Sequence, residues 1–118
     1  MEYKSYEAQP GFPFGTLSVR DMTPEMFTGL SIGVVEVPIG GEHPPFAEQR
    51  MEKIYVGLRG DVQFTRQAEV VLLSPGDVLV FDGGEQYSYH NGGYEPARML
   101  VLQRPGRERR AAMEGSSD

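Results

Sequence analysis

The chain predicts an all-β domain, a sandwich or barrel of the jelly-roll kind, on three observations. Short runs rich in Val, Ile, Leu, Tyr and Phe recur along most of its length. Gly, Pro, Asp and Asn punctuate those runs, which is the signature of strands and turns. Helix signals are scarce: the best is DMTPEMFTGL, where Thr23 caps a single short turn with Pro24 in its first position. Many short strands separated by Gly-rich turns build two packed sheets or a closed barrel.

The elements follow in order. TLSVR, LSIGVVEVPI, MEKIYVGL, DVQFTR, EVVLL, DVLVF, QYSYH and ARMLVLQ are the eight candidate strands, and RG, SPGD, DGGE and NGGYEP are the later turns. Gly40, Gly60, Gly76, Gly83, Gly84, Gly92 and Gly93 are read as turn residues. No internal repeat is visible. At 118 residues the chain suffices for one compact domain with a single core. Residues 1–28 read as an N-terminal segment with a strand and the helical turn, residues 29–103 as the barrel, and residues 104–118 as a flexible tail. The tail holds 4 basic and 3 acidic side chains, against 7 and 14 in residues 1–103. It is expected to be a solvated terminus; a docking segment for an acidic partner is the alternative.

Several strands are apolar on both faces. In MEKIYVGL one parity gives Ile54, Val56 and Leu58, the other Met51, Tyr55 and Gly57. Only one face lines a small barrel, so something covers the second. The expected cover is a second copy of the chain, in a homodimer formed sheet to sheet; the alternative is the N-terminal segment folding back.

Composition excludes several function classes. The formal charge of −6 argues against a nucleic-acid surface. No apolar run reaches the roughly 20 residues needed to cross a bilayer, and MEYKSYEAQP lacks the apolar stretch of a signal peptide. No membrane partner and a cytoplasmic location are therefore expected. Zero cysteines remove disulfides, thiolate ligands and a cysteine nucleophile together. With two histidines, His43 and His90, a site built on three histidines is impossible within one chain.

The stretch IYVGLRGDV resembles the strand and Gly turn of the first cupin motif, and PGDVLVF followed by DGGEQYSYHNGGYEPA resembles the second. The chain is similar to small single-domain, RmlC-like cupins of the conserved-barrel type, whose fold is a double-stranded β-helix. In the second motif, Gly76 and Gly84 take the glycine positions and Asn91 the asparagine, with Asp82 at the proline position. The usual metal ligands do not carry over. Anchored on Gly60, the glutamate position falls on Lys53, and the two histidines fall on Phe46 and Glu48, or on Ala47 and Gln49 with the shorter spacing; the third falls on Tyr87. The resemblance thus implies a degenerate metal site and no cofactor. A metal alternative draws on His43, Glu48, Glu52 and His90. Strand parity turns His90 away from Tyr87 and Glu52 away from Lys53, and His43 sits in a Pro-rich loop at the barrel mouth.

The pocket is then expected to be lined by Glu48, Lys53, Tyr55, Tyr87, Tyr89 and Asn91, a polar and aromatic set suited to a small organic molecule. Three readings follow. In the first, the protein is a metal-independent isomerase, epimerase, cyclase or lyase, with Lys53 or Glu48 as base and Tyr87 as acid; burial would lower the lysine pKa toward neutrality. Tyr55, Tyr89 and Asn91 then bind the ligand. In the second, the barrel is a ligand-binding or accessory module. In the third, Lys53 and Glu48 form a structural ion pair and Tyr87 fills space.

Overall fold

The computed structural model describes residues 1–23, 29–47 and 51–106. Among them are ten strands: β1 (Gly11–Phe14), β2 (Leu17–Asp21), β3 (Ser31–Val37), β4 (Glu42–Ala47), β5 (Met51–Arg59), β6 (Val62–Arg66), β7 (Glu69–Leu73), β8 (Val78–Phe81), β9 (Gln86–His90) and β10 (Ala97–Pro105). They form two antiparallel sheets, one of six strands in the order β1-β2-β3-β10-β5-β8 and one of four in the order β4-β9-β6-β7. All eight strands read from the sequence are present, and the all-β jelly roll, a double-stranded β-helix, is the observed architecture.

Two strands, β1 and β4, were not expected. Each carries proline, Pro13 in β1 and Pro44 with Pro45 in β4, and each lies at a sheet edge. An edge position spares the ladder the N–H that proline lacks, so the breaker signal there does not break a strand. The helical turn expected after Thr23 falls on residues 24–28, outside the described residues. Thr23 itself ties the chain back to β3: its hydroxyl accepts the Ile32 N–H at 2.8 Å. The strand of the N-terminal segment joins the six-stranded sheet, β2 pairing with β3 from Ser18 to Asp21. At the other end β10 continues to Pro105, past the expected boundary at residue 103; residues 107–118 of the tail lie outside the described residues.

Alternation sets the core. On β5 the inward face is Lys53, Tyr55 and Gly57, opposite Gln103, Val101 and Met99 of β10. Five aromatic rings, Tyr55, Phe64, Phe81, Tyr87 and Tyr89, fill the space between the sheets, all buried. Phe81 and Tyr87 stack face to face with centroids 3.6 Å apart, and Tyr55 meets Phe64 at 4.9 Å. Gly57 is needed where it stands: a Cβ there would lie 2.3 Å from the Ser74 carbonyl oxygen, where the β7–β8 turn closes on β5. That turn is held by the Gly57 N–H to Asp77 O and the Gly76 N–H to Gly57 O.

The outer face of the six-stranded sheet is covered at one end by the chain itself. Tyr6, in a 3₁₀ turn (Tyr6–Ala8), donates to Glu36 at 3.2 Å and lies between the guanidinium groups of Arg20 and Arg98, 4.4 and 4.9 Å from its ring centroid. Glu36 also accepts from Arg98, and Val34 on the same face is buried. At the β5–β8 end Leu58, Val78 and Val80 stay exposed. No helix among the described residues is long and apolar enough to cross a membrane.

Candidate functional site

The two strands that the sequence hid build one wall of a pocket. It lies where β1, the edge of one sheet, faces β4, the edge of the other, and its volume is about 220 Å³. Phe12 and Phe14 come from β1, His43 and Phe46 from β4, Lys53 and Tyr55 from β5, Tyr89 from β9 and Gln103 from β10. Val19, Val35 and Val101 close the apolar floor with Leu17.

A bulge in β4 puts both His43 and Phe46 inside. His43 pairs with Tyr89 and Phe46 with Tyr87, so three steps along β4 match two along β9, and the extra residue falls at Pro44–Pro45. His43 is therefore a half-buried strand residue whose ring sits against the core, a correction to its expected place in a surface loop. Its ring stacks on Phe14 at 5.0 Å and meets Phe46 at 3.9 Å and Tyr89 at 5.3 Å. Its Nδ1 lies 2.8 Å from the Pro44 carbonyl oxygen. A carbonyl only accepts, so Nδ1 carries the proton in that bond, and the neutral ring keeps its lone pair on Nε2. Burial lowers the His43 pKa below 6.5; the bond to Pro44 opposes that shift and the charge of Lys53 adds to it.

Lys53 faces inward as expected, its Nζ 4.7 Å from the centre of the Phe46 ring. Gln103, its cross-strand neighbour, lines the same pocket; sequence reasoning missed it, although strand parity from Val101 would have placed it. Tyr55 and Tyr87 share a buried hydroxyl–hydroxyl bond of 2.8 Å. Burial, followed by the neighbouring phenols, pushes the Tyr55 and Tyr89 pKa values well above 10, so both remain hydrogen-bond donors at neutral pH.

The remaining expected site residues are placed differently. Tyr87 is a core residue between Phe81 and Phe46, with Phe46 at 4.5 Å. Asn91 lies at the far end of β9, where its amide donates to Val37 O at 3.1 Å and Glu95 O at 2.8 Å and its Oδ1 accepts the Gly93 N–H. That amide pins a turn and does not line the pocket. Glu48 falls outside the described residues, and with it the Lys53–Glu48 pair.

The metal alternative finds little to hold a cation. Glu52 points to the outer face, buried against Arg104 at 2.9 Å, and His90 pairs across the sheet with Glu42 and Gln63 on the outward parity. No group of three or more His, Cys, Asp or Glu comes together among the described residues. At three of the four positions that align with the cupin ligands stand an aromatic ring, Phe46, a lysine, Lys53, and a phenol bonded to another phenol, Tyr87; the fourth, Glu48, lies outside the described residues. Those three side chains are not a donor set that suits a divalent cation.

The architecture and this pocket define a small jelly-roll barrel with an aromatic-lined opening between its sheets. The cupin domain family (Cupin_2) matches residues 33–103, more than half of the chain, and the chain belongs to that family. Among solved structures it is similar to a predicted oxalate decarboxylase from Thermotoga maritima at 17% identity, covering 88% of this chain and 99% of that one, with a TM-score of 0.79. The Cnp3 cupin domain of Schizosaccharomyces pombe is 22% identical over 91% of this chain and 78% of that one, with a TM-score of 0.76. The polyketide cyclase RemF from Streptomyces resistomycificus is 20% identical over 89% and 79%, also with a TM-score of 0.76. At these identities the likeness shows the fold alone. No curated protein matches the chain.

Proposed function

We propose that the β1–β4 pocket binds a small, flat organic acid. The observation that carries this reading is the convergence of Lys53, His43, Gln103 and two phenols on an opening walled by Phe12, Phe14 and Phe46. Such a site, apolar walls with a few placed polar groups, is the usual form of a small-molecule pocket. At about 220 Å³ it is smaller than the roughly 300–1,000 Å³ typical of drug-sized ligands, which favours a ligand of one ring or less plus its acid group. Lys53 supplies the counter-charge, and the phenol of Tyr89, held protonated, supplies a donor rather than a base, while the Tyr55 hydroxyl is shared with Tyr87. Metal-independent isomerase, cyclase or lyase chemistry is consistent with this set, as is ligand binding alone.

The test is a panel of arene carboxylates with their matched amides and amines, titrated into the nitrogen-15-labelled full chain and read by protein-observed NMR. Carboxylates are expected to bind and to shift the amide resonances of Lys53, Tyr55 and Gln103. Binding of amines in preference to acids, or shifts confined to other parts of the barrel, would overturn the reading.

The partner reading is a homodimer. Leu58, Val78 and Val80 are exposed beside Ile54 and Val56 on the uncovered end of the outer sheet face, and β8 ends that sheet. A second copy laid on this end would bury them, while Tyr6 already occupies the other end. Sedimentation of the wild type and of the Val78→Lys, Val80→Lys double variant tests it: a dimer that becomes a monomer supports the interface, and a wild-type monomer at high concentration rules it out.

A further inference from the structure

The feature of the pocket that ligand binding alone does not require is the state of His43. Its ring stacks on Phe14 and packs against Phe46, its Nδ1–H is committed to the Pro44 carbonyl, and Nε2 is left as the lone-pair nitrogen of a ring that lines the pocket. A cationic side chain, Lys53, lines the same space, so a base and a counter-charge for a developing anion occur together. Nothing in the sequence motifs assigned a catalytic part to this histidine.

We propose that His43 is the general base of the pocket, taking a proton through Nε2 from a carbon next to the carbonyl of a small flat carbonyl acid. The inference rests on the ligand reading above. In the step, the C–H bond breaks and its proton passes to Nε2. The bonding pair becomes the carbon–carbon π bond, and the carbonyl π pair moves to oxygen, giving an enolate whose charge faces Lys53. The imidazolium then returns the proton to the same carbon, which is exchange, or to a conjugated carbon or the enolate oxygen, which is tautomerisation; neither needs an oxidant, reductant or second substrate. The low pKa of His43 keeps the base form present at neutral pH, and the groups that face it are Lys53 from β5 and Tyr89 from β9. The aromatic walls suit a substrate whose enol is planar and conjugated.

Phenylpyruvate is the probe: it has a carboxylate for Lys53, a phenyl ring for the walls and an acidic methylene beside a ketone. The experiment measures, for the full chain in deuterated buffer, binding by NMR titration and loss of the methylene proton signal over time. The wild type is expected to bind and to speed the exchange, with a rate that rises with pH through the His43 titration. His43→Gln is expected to keep binding and to lose the acceleration by about 100-fold, the scale of a general base. Binding without acceleration, or equal acceleration in His43→Gln, overturns the base and leaves the ligand reading standing. No binding of phenylpyruvate or of any acid in the panel overturns both. Should His43→Gln fail to fold, nitrogen-15 NMR of the wild-type ring decides: a protonated Nδ1 and bare Nε2 are required, and the opposite tautomer ends the proposal.

Discussion

The barrel has two seams where sheet edges meet, and they have been finished in different ways. At the β1–β4 seam the edges leave a pocket whose polar groups turn inward, with His43 and Lys53 among aromatic rings. At the β7–β8 seam the gap is about 140 Å³, and its polar groups sit on the rim: Arg66 holds Glu69 at 3.4 Å and Glu85 at 3.3 Å. Around that rim the apolar residues turn outward, with Val70, Leu72, Val78 and Val80 exposed. One seam turns its polar groups in among aromatic rings, while the other turns its apolar side chains out to solvent. The same strand alternation serves both, and what differs is which parity carries the polar groups.

Both seams lean on one aromatic core, so the largest effect is expected from breaking it. Phe81 stacks on Tyr87 and also lines the β7–β8 gap. Phe81→Ala should cost about 3–5 kcal/mol in urea unfolding and loosen both seams together. A loss confined to one seam, seen as local amide exchange, would show that the seams are independent.

Lys53→Met separates the seams. It should weaken binding of an arene carboxylate by about tenfold or more, as the loss of a hydrogen bond to a charged group of about 1.5–3 kcal/mol implies, and leave the matched amide unaffected. The urea midpoint should hold or rise; a fall in midpoint with unchanged binding would make Lys53 structural.

Acid acts next. The folded pKa of His43 lies below 6.5, so between that value and 6.5 the unfolded chain takes up a proton that the folded chain refuses. Stability therefore falls as pH drops through this window and is fully present above it. Melting temperatures stepped downward from neutral pH should decline less in His43→Phe than in the wild type; parallel declines would place the sensitivity elsewhere.

The smallest effect is expected at the far rim, where Arg66→Gln removes two solvent-exposed pairs. A change of about 0.2–1 kcal/mol and no change in ligand affinity is the expected result.

The barrel was legible because its strands obey simple rules. Every strand read from the sequence, from TLSVR to ARMLVLQ, is where the pattern put it, and the inward parity of Lys53, Tyr55, Tyr87 and Tyr89 followed from the motif resemblance joined to strand alternation. The pocket was half legible for the converse reason. Its outer wall comes from GFPF and EHPPFA, where proline signals a break, and edge strands are the places where that signal misleads. Period-two counting from Phe46 would also have turned His43 outward, since nothing local announces a bulge. Asn91 shows the opposite failure: the motif marks it, and the structure commits its amide to backbone carbonyls.

The bulge at Pro44–Pro45 gives β4 one residue more than its partner requires. Deletion within a regular strand would shift everything on one side of it to the opposite face, but loss of either proline here would let the ladder run straight with His43 still opposite Tyr89 and Phe46 still opposite Tyr87. Chain length at this point is thus uncoupled from the chemistry of the pocket, and a gap placed here in a comparison with a shorter homologue need not mean a different site. An insertion of one further residue acts differently: kept in regular pairing from Phe46, it would leave the imidazole on the same face but move it two positions along β9, from opposite Tyr89 to opposite Asn91, without changing a single side chain.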